Sequence, residues 1–172
     1  MKAPLSVAFA LMLALAACSN TDDASLDPST AAGVNSATGG GVSAGNLPPP
    51  NTVAYFNTVI GDRVFFETDS TTLTATGQNV LTQQADWLRA NIGSTATIEG
   101  HADERGTREY NLALGARRAD AVRAFLVAQG IDGGRLDTVT FGKERPVSLC
   151  SNESCWSENR RGVTVIAGGP VS

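Results

Sequence analysis

The chain is poor in the groups that most often carry chemistry: of its 172 residues one is histidine, three are cysteine and 6% are aromatic. With no second histidine, a histidine-based metal site cannot be assembled. The loop that holds His101, Asp103 and Glu104 is a poor ligand set by itself. Packing, or a hydrogen bond at a strand end, is the better role for His101. No serine stands at a strand-to-helix turn as a nucleophile elbow, no Cys–His pair is sensibly placed, and no phosphate loop occurs. A basic excess is missing too. Lys+Arg number 13 against 17 Asp+Glu, and no basic stripe is interleaved with aromatics, which excludes a nucleic-acid surface. No internal repeat is present. These absences leave no cofactor or metal to expect and favour a binding module over an enzyme.

What is present begins with an address. Lys2 precedes an apolar run from Val7 to Ala17 that is too short to span a bilayer as a mature helix. The run ends in Leu15-Ala16-Ala17-Cys18, which resembles the bacterial lipobox; a plain signal peptide with a stray cysteine is the other reading. A lipobox implies removal of residues 1–17, lipidation of Cys18 and, with Ser19 rather than aspartate next, sorting to the outer membrane. Acyl chains anchor stably, each buried methylene contributing about 0.8 kcal/mol. Removing Lys2 leaves 12 basic against 17 acidic residues, a mature charge of −5. Residues 18–52 are rich in Ser, Thr, Asn, Gly and Ala, then Pro48-Pro49-Pro50, and read as a flexible tether with a relaxed reach of roughly 30 Å. Residues 53–172 are enough for one core.

Within that domain the chain is organised around residues 98–122, IEGHADERGTREYNLALGARRADAV. Leu114, Val122, Phe125 and Leu126 share one helical face, and Arg118 falls in the middle of it, four residues from Leu114 and from Val122. A buried arginine needs a partner, and its guanidinium suits a carboxylate in bidentate geometry. Arg117 falls on the solvated side. The eight residues from Asp103 to Asn111 span at most roughly 26 Å, enough to bring Asp103 beside Arg118, which is about 10 Å along the helix. An acid and a guanidinium side by side at a rim would accept the ammonium and carboxylate of a zwitterion; an internal salt bridge with no ligand is the alternative.

The GHADERG and YNLALGARRADAV segments resemble the OmpA-like peptidoglycan-binding family, and within it the peptidoglycan-associated lipoproteins (Pal). The resemblance covers roughly residues 61–167. It implies non-covalent binding of meso-diaminopimelate in peptidoglycan, with Asp103 and Arg118 holding the ligand, Asp69 lining the other side of the groove, and Gly100, His101, Ala102, Leu114 and Arg161 around it. It also implies an outer-membrane, periplasm-facing protein of the Tol–Pal system, with TolB as partner, that supports envelope integrity and cell division. Three positions depart from the family: Thr68 where an aromatic is frequent, Arg108 where proline is frequent, and Gly162 where alanine or valine follows NRR.

The remaining pattern predicts the fold. Strands are expected at residues 64–66, 95–100, 138–142 and 162–167. A helix carrying Val80, Leu81, Gln84, Ala85 and Leu88 starts at Thr74 or Thr76, and a long helix runs from Arg108 to Gln129 and stops at Gly130. This is an α+β sandwich, βαβαββ, with two helices on one face of a mixed four-stranded sheet. Glu104, Arg105 and Arg108 read as solvated loop charges and Asp69 equally as a turn residue. Cys150 and Cys155 are weak as a zinc pair and read as a disulfide, given an oxidising compartment. Asn159-Arg160-Arg161 would bond either ligand carboxylates or the Asp103 loop, or simply staple its loop to the sheet. A hydrolase using Asp103 with Glu104, or Asp69, has no apolar pocket in the sequence to raise either acid.

Overall fold

The computed structural model describes residues 47–168; the signal segment, Cys18 and most of the tether lie outside them. Val53–Tyr55 (α1) runs on as a π-helical turn, Phe56–Gly61. Then follow β1 (Arg63–Phe65), α2 (Ala75–Ala90), β2 (Thr95–His101), α3 (Arg108–Ala128), β3 (Leu136–Gly142), α4 (Glu153–Asn159) and β4 (Arg161–Ala167). The sheet order is β1-β4-β2-β3. β2 and β3 are parallel, and β4 is antiparallel to both β1 and β2. No helix of the described residues is long and apolar enough to cross a membrane.

The expected mixed sheet with two covering helices is the observed one. Along β2 the pleat sends Ala96 and Ile98 into the core, where Leu81, Ala85 and Leu88 of α2 meet Ala119, Val122 and Leu126 of α3. Each leucine, isoleucine or valine among them contributes about 1.5–3 kcal/mol by leaving water. Gln84, the polar interruption in α2, is fully buried and fully used: Nε2 donates to the Gly61 carbonyl at 2.7 Å and Oε1 accepts from Thr164 Oγ1 at 2.9 Å. Thr74 caps α2 by accepting from the Gly77 amide, and Gly130 (φ +89°) follows the end of α3.

Three elements differ from expectation. β1 starts at Arg63, and Phe66 has left the strand to enter the core, though its amide still donates to Arg160. The stretch before β1 is helical, with Phe56 edge-on to Trp87, centroids 5.1 Å apart, and Trp87 Nε1 donating to Pro50. Between the cysteines and β4 stands α4 instead of a loop, capped by Asn152, whose side chain accepts from the Ser154 amide. Cys150 and Cys155 are joined as a disulfide, Cα–Cα 5.6 Å.

Candidate functional site

The parts of the long motif meet where α3 crosses β2. A Cβ on Gly100 would lie 1.8 Å from the Gly115 carbonyl oxygen, and one on Gly115 would lie 2.4 Å from Thr140 Oγ1. Only glycine at both places lets helix and sheet touch backbone to backbone. One turn further along α3 this close approach delivers Arg118 to the C-terminal end of β2.

Arg118 is 0% exposed. Its partners are three carbonyls: Nε donates to Ser70 at 2.9 Å, Nη1 to His101 at 2.9 Å and Nη2 to Glu67 at 3.2 Å. The expected bidentate carboxylate is not its partner, and it stands beneath the rim rather than on it. The reason is reach: the loop after β1 folds over the guanidinium and offers backbone oxygens first. Burial pushes the Arg118 pKa down to about 10, against the pull of Asp103 and Asp69. Among the described residues it makes no ion pair.

Asp103 is 8% exposed and is held by two other arginines. Oδ1 accepts from the Arg105 amide and Nε, both at 3.2 Å; Oδ2 accepts from Arg105 Nη2 at 2.7 Å and from Arg160 Nη1 at 3.3 Å. Burial alone would raise its pKa; the hydrogen bonds from Arg105 and Arg160 outweigh that and hold the carboxyl below its usual range. Arg105 is therefore not a free loop charge. Its guanidinium carbon also lies 4.2 Å from the centroid of the Trp156 ring. Arg108, by contrast, is exposed and faces Glu144 at 3.3 Å.

Beside Asp103 opens a cleft of about 290 Å³, lined by Thr68, Asp69, Arg105, Tyr110 and Leu114 among others. Asp69 has φ +54°, the one non-glycine residue in the left-handed region among those described. Its Oδ1 accepts from the Tyr110 hydroxyl, which raises the tyrosine pKa. Asn111 pins the loop from below by donating to the Arg105 carbonyl at 2.7 Å. Larger hollows lie elsewhere, about 730 Å³ along the outer edge of β1 and about 390 Å³ beside Trp87, but the motif's acids open onto the smaller one.

Of the other expected residues, Leu114 lines the cleft, while Ala102 is buried with its amide on the Gly142 carbonyl. His101 contributes its carbonyl to Arg118 while its ring packs on Phe141, with Nε2 3.3 Å from Glu99 Oε2. Burial, then the charges of Arg161, Arg145 and Arg63, push its pKa down to about 4, so the ring is neutral near pH 7. Arg161 is not in the cleft. Strand residues alternate; Arg160 turns to Asp103, and Arg161 turns to the carbonyls of Asn159 and Arg145. Arg160 thus makes the contact to the Asp103 loop that was one of the roles expected of the Asn159-Arg160-Arg161 run, while Arg105, Tyr110 and Trp156 are the participants that sequence reasoning missed. The only local signal was the two-residue spacing of Asp103 and Arg105, which permits an Asx turn.

Fold and cleft together define a small binding domain, two helices on a mixed sheet, with two acids above a buried cation. The pattern of the OmpA family matches residues 65–160. A peptidoglycan-associated lipoprotein of Rhizobium meliloti is 48% identical over 165 residues, 96% of this chain and 88% of that protein. One from Brucella melitensis is 43% identical over 167 residues, 97% and 94% of the two chains. The crystal structure of the peptidoglycan-associated lipoprotein from Burkholderia pseudomallei superposes with a TM-score of 0.64 at 36% identity, covering 69% of this chain and all of that one. The chain belongs to the OmpA family, and within it to the peptidoglycan-associated lipoproteins.

Proposed function

We propose that this protein binds peptidoglycan non-covalently through meso-diaminopimelate, joining the outer membrane to the wall by a lipid on Cys18. The observation that carries the reading is Arg118: a desolvated cation without a carboxylate partner, beneath a cleft edged by Asp69 and Asp103. Three of a guanidinium's five N–H groups are used on carbonyls, and the rest have capacity for a ligand carboxylate. The acids answer the ligand's ammonium. Gly100 and Ala102 serve through their backbones, Leu114 as the apolar wall, and His101 by orienting Arg118. Access to Arg118 requires the loop of residues 67–70 to yield, and that loop contains the left-handed Asp69. The protein is a binder and not an enzyme, so purified sacculi incubated with it release no muropeptides.

The test is co-sedimentation with sacculi of the mature chain made without acyl groups, as wild type, Asp103→Ala and Arg118→Ala. Wild type pellets; both variants, shown to be folded by circular dichroism, stay in solution. Folded variants that still pellet would remove these residues from the site. Membership of the Tol–Pal system, supporting envelope integrity and division, rests on the kinship with named Pal proteins. TolB enriched no better than by a control lipoprotein would place the protein outside that system.

A further inference from the structure

The acid that should receive the ligand's ammonium is already occupied. Arg105 lays its guanidinium on both oxygens of Asp103, with Nε–Oδ1 at 3.2 Å and Nη2–Oδ2 at 2.7 Å. The same group lies 4.2 Å from the centroid of the Trp156 ring and 3.5 Å from Thr68 Oγ1. Trp156 is in α4, next to Cys155 of the disulfide, so its ring is fixed by an element outside the motif. Arg160 approaches Oδ2 from the buried side, at 3.3 Å, while Arg105 lines the cleft. The arginine on the solvent side is the one an entering cation would meet.

We propose that Arg105, propped on Trp156, is an internal stand-in for the ligand's ammonium, and that wall binding is an exchange of one cation for the other at Asp103. This rests on the reading of the cleft given above. A carboxylate flanked by Arg105 and Arg160 has few lone pairs left, so an ammonium gains Asp103 only as Arg105 lets go. The exchanged ion pairs nearly cancel, which lowers the net affinity and keeps the attachment reversible. A ligand without a cation leaves Arg105 in place and gains nothing at this acid. The Trp156 face holds the released guanidinium near the cleft, ready to return when the ligand leaves.

The experiment measures binding of the whole mature chain to two synthetic probes. One is the stem tripeptide ending in meso-diaminopimelate; the other is the same peptide acetylated on its free side-chain amine. Arg105→Gln is expected to bind the free-amine peptide about fivefold more tightly than wild type, the scale of one half-exposed ion pair, and the acetylated peptide equally. Arg105→Lys, which restores a cation without the fork, falls between. Trp156→Phe, a milder change, shifts the free-amine affinity in the same direction as Arg105→Gln. If Arg105→Gln binds the free-amine peptide no better than wild type, or gains equally for both peptides, the exchange is wrong while the cleft remains the site. If wild type does not bind the free-amine peptide at all, the cleft reading falls and the exchange with it.

Discussion

A single side chain shows how far environment overrides type. His101 has the composition of a switch and the surroundings of a core residue: 1% exposed, stacked on Phe141, with three arginines near. Its pKa falls from 6.5 to about 4 on folding, so the unfolded chain binds the proton more readily. Stability therefore is fully present above about pH 6.5 and declines as pH falls through 4, by about 3 kcal/mol in all. Urea unfolding at a series of pH values should show this slope for wild type and lose most of it in His101→Gln; an unchanged slope assigns the loss to other groups. Arg118 teaches the same lesson differently. Its burial was legible from helical spacing, because a residue four from Leu114 and four from Val122 must share their face. Its partner was not, because carbonyls of residues 67, 70 and 101 are supplied by the fold and not by any side-chain pattern.

Between elements the decisive contact is glycine on glycine. Gly100→Ala places a methyl group inside van der Waals reach of the Gly115 carbonyl, so α3 must lift from β2. Overpacking of that kind costs typically ~1–3 kcal/mol, and here the obstacle is backbone, which puts the expectation at the upper end or beyond. Gly93→Ala, where nothing lies within 4 Å, is the control and should be nearly neutral. Denaturant midpoints of the two variants check this directly; equal midpoints would mean that the helix does not rest on that glycine. The elements themselves were largely readable, since β2 alternates and α3 keeps a helical stripe over its 21 residues. α4 was not. Its seven residues, ESCWSEN, have no apolar stripe, and the helix stands through an Asn152 cap, a disulfide and the stack of Trp156 on Arg105. That is also why Trp156 was missed as a site residue: it reaches Arg105 from more than fifty positions away in sequence.

For the molecule as a whole, attraction to the wall has to be local. The sequence carries 13 basic and 17 acidic residues, net −4, with Asp22, Asp23 and Asp27 ahead of the domain, and peptidoglycan stem peptides are acidic as well. At long range the partners repel; on the proposed reading of the cleft, Arg118 and the two acids attract the ligand in matched pairs. The two regimes respond oppositely to salt, because screening lowers the like-charge barrier beyond about 10 Å at 0.1 M while also weakening the ionic contacts between ligand and cleft. Raising sodium chloride from about 20 to about 500 mM should therefore speed association with an immobilised muropeptide by about twofold, as the like-charge barrier is screened. Dissociation should quicken more, because the contacts that hold the ligand are themselves ionic, so affinity falls even as the on-rate rises. An on-rate that drops with salt would show instead that the domain steers its ligand by a positive field around Arg105, Arg117 and Arg108, and that its negative total does not govern the encounter.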